Sequence, residues 1–283
     1  GMPYDSIAER KLFHYRKSKY RLSNLSSNPL FKIPNTTHRV WLTNTQTPSV
    51  PPQFAIEAYI ESIKRNPDLT HHLWLFRGEY FNETLRAFSE TPVVVHYVED
   101  FMPQMKTLPL FNALCQQSYY GVACELLRLE ILYSEGGFYC NFGYELKDSI
   151  KPLLDNFNII SNEFIGQGID HHLDTNAMAI TARHRVLDMF LQFLSSNSQR
   201  AFVKQNIAQP FKDREGLCTS WANGSYFTSF LFNYLTPEDN LLVLQGEQGS
   251  RNDGVLYKNH LNARRPITHV NKSISRNGFP ETE

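Results

Sequence analysis

The 283-residue sequence contains no apolar run of about 18 residues, which is the length that a membrane-spanning helix requires. Its first residues also lack the charged segment followed by an apolar segment that marks a secretory signal peptide. These two absences argue against a membrane-spanning protein and against standard secretion. We therefore expect a cytoplasmic protein, or one that is exported without a standard signal peptide.

An excess of charge of either sign is also lacking, because 28 Lys and Arg residues balance 28 Asp and Glu residues. Nucleic-acid-binding domains usually carry a strongly basic surface. The composition therefore gives no support for a nucleic acid as the partner, and any charged function must be local.

Cysteine is scarce, with four residues at positions 115, 124, 140 and 218. They show neither the paired spacing of a metal site nor the density of a small disulfide scaffold. We interpret them as reduced thiols in mostly apolar surroundings.

The common nucleotide-binding and catalytic motifs are missing as well. No glycine-rich phosphate loop with a lysine and no G-x-G-x-x-G between a strand and a helix is present. The sequence also lacks a nucleophile elbow and an H-E-x-x-H zinc helix. These absences argue against a P-loop NTPase, a dinucleotide enzyme, an α/β-hydrolase and a zinc protease.

What the sequence does contain is an alternation of β-rich runs with amphipathic helical patterns. The predicted strands cover residues 38–43, 71–76, 92–98, 157–164, 176–182 and 240–246, and the predicted helices cover 50–67, 119–137, 184–197 and 224–237. This alternation predicts an α/β fold with a mainly parallel central sheet flanked by helices. No internal repeat divides it, so we expect one domain over residues 36–270.

Two segments flank that domain. Residues 1–35 form a predicted basic helical extension and linker, and residues 271–283 form a polar, flexible tail. A basic amphipathic helix can lie on an anionic membrane surface, but a solvated helix face is the commoner case. We therefore do not favour membrane contact.

The helix predicted over 119–137 carries an unusual pair of charges. Glu125 and Arg128 are three residues apart and share one face of an otherwise largely apolar helix. A charged pair on a buried helix must face something polar. Periodicity alone leaves two interpretations open, a structural ion pair and a functional site.

Three segments of the sequence resemble a known enzyme family. They are "HRVWLTN", "HHLWLF" and above all "ACELLRLEILYSEGGFYCNFG", residues 123–143. They are similar to the glycosyltransferase family whose sugar-binding region carries an Asp-x-Asp motif, which includes the glucosylating domains of large clostridial toxins and fungal outer-chain mannosyltransferases. The similarity covers about residues 36–200. It implies a GT-A-like fold with a nucleotide-sugar donor across the sheet.

The resemblance also implies roles for single residues. Glu125 and Arg128 stand where the family's Asp and Arg contact the donor sugar, and Asn176 stands where an Asn lines the sugar pocket. Trp41 stands where an aromatic ring stacks on the nucleobase, and Tyr139 near the base or ribose. A core aromatic for Trp41 and a strand-end cap for Asn176 remain as the alternatives.

The sequence departs from the family where the family has its two aspartates, because Asn141 and Gly143 occupy those positions. A divalent ion on a diphosphate prefers anionic oxygen ligands, and these residues supply one neutral amide oxygen. We therefore predict no protein-bound metal, with Mn²⁺ or Mg²⁺ use doubtful.

Three substitutes for the lost carboxylates can be considered. Glu145 shares a strand face with residue 141 and could reach back toward a cation. Basic side chains in residues 249–265, among them Lys258, could neutralise a diphosphate directly, although a solvated basic surface loop is the commoner case. The third possibility is that activity has been lost and binding remains.

The cluster His171, His172 and Asp174 suggests a metal only if a loop folds around the ion.

The sequence therefore predicts a glycosyltransferase that uses a nucleotide sugar, expected to be a UDP-sugar, on an unidentified protein or glycan acceptor. The candidate catalytic residues are Glu125, Arg128 and Asn141, and the candidate substrate-binding residues are Trp41, Tyr139, Asn176 and Lys258. The alternative is an inactive relative that binds a nucleotide, a sugar or a protein.

Overall fold

The structure is a computed structural model, which describes residues 32–43, 49–78, 81–142, 144–165, 171–198, 225–236, 239–248, 251–252 and 267–269. Gly143 and Lys258 lie outside the described residues, as do residues 1–31 of the predicted extension and the whole predicted tail. The division of the chain into extension, domain and tail stays a prediction.

The first half of the chain alternates strands and helices, and it contains helices over residues 81–87 and 108–116 that the sequence did not predict. Its elements are β1 (Thr36–Trp41), α1 (Gln53–Arg65), β2 (Thr70–Leu75), α2 (Phe81–Ala87), β3 (Val94–Tyr97), α3 (Val98–Phe101), α4 (Leu108–Gln116) and α5 (Tyr120–Glu135). Helix α1 begins directly after Pro51 and Pro52, and its residues Ala55, Tyr59 and Ile63 recur every four positions and are buried.

In the described part of the second half, strands outnumber helices. Its elements are β4 (Gly137–Cys140), β5 (Tyr144–Leu146), α6 (Lys151–Leu154), β6 (Ile159–Ile165), β7 (His171–Ile180), α7 (Arg185–Ser198), α8 (Ser225–Tyr234), β8 (Leu241–Gln248), β9 (Arg251–Asn252) and β10 (Ile267–His269).

The main sheet has eight strands in the described part of the chain, in the order β3-β2-β1-β4-β7-β6-β8-β9. The pairs β3–β2, β2–β1, β1–β4 and β6–β8 are parallel, whereas β7 is antiparallel to both β4 and β6. Only residues 166–170 separate β6 from β7, and so short a connection allows a hairpin but no crossover. The prediction of a mainly parallel α/β sheet is confirmed, with β7 as the central exception.

The two faces of the sheet carry separate apolar clusters. Helix α5 packs on one face with Val40, Tyr139 and Met178, and helix α1 packs on the other face with Trp41 and Leu73. Because successive strand residues point to opposite faces, the neighbours Val40 and Trp41 belong to different clusters. This division decides which side chains can meet at the carboxyl edge of β4.

The turn from α5 into β4 needs two glycines. Gly136 and Gly137 have φ angles of +66° and +106°, in the region that side chains rarely adopt. A Cβ on Gly136 would lie 2.7 Å from the backbone nitrogen of Ala182, and one on Gly137 would clash with Thr36 Oγ1. The Gly-Gly pair therefore allows β4 to enter the sheet beside β1 immediately after the helix.

None of the helices that the structure describes is long and apolar enough to cross a membrane.

The histidines of "GIDHHLD" do not lie in a metal-binding loop, because His171 and His172 belong to β7 and pair with Ile165 and Phe164 of β6. The loop that a metal interpretation required is therefore absent at these residues.

Candidate functional site

A tight turn follows the carboxyl end of β4, where parallel sheets bind their ligands. The backbone N–H of Asn141 donates to the carbonyl of Asn176 in β7 at 2.9 Å, and the N–H of Tyr144 donates to the carbonyl of Asn141 at 3.0 Å. The main chain of Asn141 is therefore fixed on both sides. Its side-chain Oδ1 is buried and has no hydrogen-bond partner among the described residues.

Arg128 reaches the same place from helix α5. The side chain is fully buried, and Nη1 donates to Thr175 Oγ1 and to Asn176 Oδ1, both at 2.9 Å. The guanidinium lies over the ring of Tyr139, 4.8 Å from its centroid. Within the described structure, Nε and Nη2 of Arg128 are buried without a hydrogen-bond acceptor.

These contacts bring together four of the residues that the sequence singled out, namely Arg128, Tyr139, Asn141 and Asn176. A buried guanidinium donor without an acceptor and a buried amide oxygen without a donor are both costly. Such groups in one cluster are typical of a site that is completed by a ligand. The cluster is therefore the candidate functional site, and the residue roles suggested above stay predictions.

Glu125 lies one turn before Arg128 and is also fully buried. Both residues belong to the described part of the chain, where they form no ion pair with each other; Arg128 bonds to Thr175 and Asn176 instead. The spacing left open a structural ion pair between these two residues, and the structure does not contain that pair.

Trp41 lies at the carboxyl end of β1 but on the opposite face of the sheet from Arg128. It is 2% exposed, its Nε1 donates to the carbonyl of Ser49 at 2.8 Å, and its ring meets the ring of Phe142 edge to face at 5.6 Å. In this structure the ring is part of the core next to the turn. Its stacking on a nucleobase stays a prediction.

The residue that sequence reasoning missed is Arg39. It is 1% exposed, and Nη1 donates to the carbonyls of Asn141 at 2.8 Å and Tyr144 at 2.7 Å. An arginine in the middle of a predicted buried strand was the available signal, because such a charge requires polar partners. Nothing in the sequence indicates that those partners are more than 100 residues away in the chain.

A metal ion at this turn does not fit the side chains that the structure describes. Glu145 is not free to reach back, since its Oε2 is paired with Arg65 at 3.2 Å and with Lys147 at 2.5 Å. Asn141 contributes one neutral oxygen. The described residues contain no group of three or more His, Cys, Asp or Glu side chains that could hold an ion.

A second polar cluster lies near the amino end of β4, away from the turn. His38, His72 and His96 come from β1, β2 and β3 and line a cavity of about 310 Å³ with Trp74. His38 donates from Nε2 to the carbonyl of Gly136 at 2.8 Å and accepts at Nδ1 from Trp74 Nε1 at 3.1 Å. A hydrogen bond of 2.7 Å joins His72 Nδ1 and His96 Nε2.

These imidazoles are held in the neutral form. Burial lowers the pKa of His38 to about 3 and that of His72 to about 4, and it also lowers the pKa of His96. Their ordinary value is 6.5. Burial disfavours the charged form of each ring. At low pH the rings therefore either stay neutral or become protonated as the chain around them unfolds.

We expect these histidines to make the fold acid-sensitive. Their pKa values are lower in the folded than in the unfolded chain, so their contribution to stability is complete above pH 6.5 and is lost as the pH falls toward 4. The expected loss is on the order of 3 kcal/mol in the free energy of unfolding between pH 6.5 and pH 4.5. Denaturant unfolding as a function of pH measures it.

The matched variant is His72→Gln, which keeps a neutral hydrogen-bonding side chain at every pH. Its stability should fall less steeply with acid than that of the unchanged protein. Equal slopes for the two proteins would show that His72 does not contribute to the acid sensitivity.

Comparison with known proteins gives a likeness of structure. No protein-family model and no curated protein matches the sequence. Among solved structures, one described as PaToxG glycosyltransferase is similar with a TM-score of 0.59 and 18% identity, over 81% of this chain and 79% of that chain. The UDP-bound glycosyltransferase domain from the YGT toxin is similar with a TM-score of 0.51 and 9% identity, over 79% and 81%.

The TM-scores show a common fold. Because the identities are this low, the activity has to be argued from the site. Both matches extend over most of the chain, so the likeness concerns the whole α/β architecture and not one motif. The chain has the GT-A-like α/β fold of these toxin glycosyltransferase domains.

Proposed function

We propose that the chain is a glycosyltransferase that moves a sugar from a nucleotide-sugar donor, expected to be a UDP-sugar, to an acceptor. The observation that carries this proposal is the cluster of buried Arg128, buried Asn141 and half-buried Asn176 beside the carboxyl end of β4. Among the residues that the structure describes, Nε and Nη2 of Arg128 have no acceptor and Oδ1 of Asn141 has no donor, and such groups match the hydroxyl groups of a sugar. The fold supports it, because one of the similar structures is a UDP-bound glycosyltransferase domain.

The roles of the side chains follow from their chemistry. Arg128, held by Thr175 and Asn176, offers rigid N–H donors to the sugar. Glu125 on the same helix is proposed to contact the sugar as well. Asn141 offers an amide oxygen at the edge of the sheet. Trp41 and Tyr139 are proposed to lie beside the nucleoside. Fixed polar groups of this kind favour the transition state because they need no reorganisation during the reaction.

The implied reaction retains the anomeric configuration. The bond between the anomeric carbon and the diphosphate oxygen breaks, and the acceptor oxygen attacks the same face of the sugar. The departing diphosphate takes the acceptor proton, so no separate general base is required. Retention is an inference from the family resemblance, and the acceptor is unidentified.

Charge neutralisation at the diphosphate is assigned to the chain's own cations. The described side chains do not fit a divalent ion, and we propose that basic side chains of residues 249–265, Lys258 among them, compensate the phosphate charge. Lys258 lies outside the described residues, so this assignment rests on the sequence.

A second function is favoured by one specific observation, the presence of Asn141 and Gly143 where the resembled family has carboxylates. A chain that had lost metal binding could still bind a nucleotide or a sugar at the same cluster. This inactive form shares the site with the enzyme and differs from it in turnover.

The experiment separates the two functions with one set of ligands. A panel of UDP-sugars is incubated with the purified protein in EDTA, and free UDP is measured while UDP affinity is titrated in parallel. Binding with UDP release supports the enzyme, and binding without release supports the binding module. Absence of both would remove the proposed function.

A further inference from the structure

We infer that Arg39 is a positioning residue of the donor site. It donates hydrogen bonds to two carbonyls of the turn at residues 141–144, and this clamp fixes the side-chain amide of Asn141. This inference rests on the proposed function, since it assigns Arg39 to the same site. Arg39 is not among the residues that the family resemblance assigns to the donor.

The contacts of Arg39 converge on the turn. Its Nη1 bridges two carbonyls of the same turn, those of Asn141 and Tyr144, at 2.8 and 2.7 Å. Its Nη2 donates to Ser62 Oγ of helix α1 at 3.1 Å, and the guanidinium lies 4.5 Å from the centre of the Tyr59 ring. The guanidinium of Arg39 is therefore held in one orientation by the turn, by Ser62 and by the Tyr59 ring.

These contacts leave only the side chain of Asn141 uncommitted. Its N–H is bonded to β7, and its carbonyl accepts from both Tyr144 N–H and Arg39. The side-chain Oδ1 is the one oxygen of the residue without a partner in the described structure. Fixing the peptide on both sides determines where this oxygen points, which is what a positioning role requires.

The charge of Arg39 adds a second argument. Its hydrogen-bond partners in the described structure are two carbonyls and one hydroxyl, all neutral. A buried cation without an anionic partner is expensive, and a structural filler of that position would more simply be apolar. A guanidinium is suited to this place because a single nitrogen with two N–H groups can hold two carbonyls at once.

The test uses Arg39→Lys, which keeps the charge but replaces the fork with a single ammonium, and Arg39→Met, which removes both. We expect UDP affinity in EDTA to fall on the order of 10-fold for the lysine variant and further for methionine, because a small misplacement of a binding group is costly. The matched control is Arg65→Met, because the guanidinium of Arg65 pairs with Glu145 of β5, just after the turn, at 3.2 Å. It should bind UDP as the unchanged protein does.

A double-mutant cycle with Asn141→Ala distinguishes positioning from general stability. If Arg39 acts through Asn141, Arg39→Lys should cost little affinity once Asn141→Ala is present. Equal costs in both backgrounds, or unchanged UDP affinity in both Arg39 variants, would overturn the inference while leaving the proposed function intact.

Hydrogen exchange tests the inference without any nucleotide ligand. The amide of Tyr144 closes the turn, and its hydrogen exchange should be faster in Arg39→Lys than in Arg65→Met. Unchanged exchange would refute the clamp even if the fold of Arg39→Met is lost. If the unchanged protein binds no UDP, the proposed function fails and the donor-site role of Arg39 fails with it.

Discussion

Replacing Arg128 with methionine should reduce the release of UDP from a UDP-sugar on the order of 10²-fold or more, because a fixed donor at the reacting sugar is removed. Methionine fills most of the volume of the arginine stem without its N–H groups. Two hydrogen bonds, to Thr175 and Asn176, and the contact with the Tyr139 ring are lost together. Steady-state measurement of kcat and KM gives the effect.

The control for Arg128 is Arg183→Met. The guanidinium of Arg183 also lies over a tyrosine ring, that of Tyr133, at 5.0 Å, but the residue is exposed. This variant should retain full turnover. If Arg128→Met loses stability and activity in parallel, with the activity restored when the folded fraction is taken into account, Arg128 is structural and its assignment to the donor is wrong.

Replacing Trp41 with alanine should lower the free energy of unfolding by about 3 to 5 kcal/mol, the usual cost of emptying a large aromatic site. Trp41 is 2% exposed and packs against Phe142, so the cavity opens directly beside the turn. Trp41→Phe should cost much less, because it keeps a ring and loses mainly the bond to Ser49. Denaturant unfolding measures both.

UDP affinity then tests the stacking role of Trp41 separately from its packing. We expect Trp41→Phe to remain folded and to bind UDP less tightly than the unchanged protein. The comparison is Trp74→Phe, which changes another buried tryptophan, whose Nε1 bonds to His38 in the second cluster. A loss of affinity in both variants, or in neither, would leave Trp41 as a core residue only.

The sequence predicted the longer elements, because hydrophobic periodicity records burial directly. The helix that carries Arg128, predicted over 119–137, is Tyr120–Glu135, whereas the short helices Phe81–Ala87 and Leu108–Gln116 were not predicted. The meeting of Asn141 with Asn176 was accessible only through the family resemblance. Their contact depends on β7 running antiparallel beside β4, and a strand's partner is not written in its own pattern.

Other features were out of reach for physical reasons. The contact of Arg39 with the turn joins β1 to residues that are distant in the chain, and only the assembled sheet brings them together. The burial of Trp41 depends on Phe142 and helix α1. Histidines in three consecutive strands were a usable signal for the second cluster, since parallel pairing places His38 opposite His72 and His96 opposite Trp74, two residues farther along β2.

UDP release from a UDP-sugar by the unchanged protein in EDTA tests the central claim most directly. The account predicts release that falls on the order of 10²-fold or more in Arg128→Met and is retained in Arg183→Met. It also predicts that added Mn²⁺ does not increase release, because the described side chains at the turn do not fit a divalent ion. No release of UDP from any UDP-sugar, whether or not UDP binds, would contradict it.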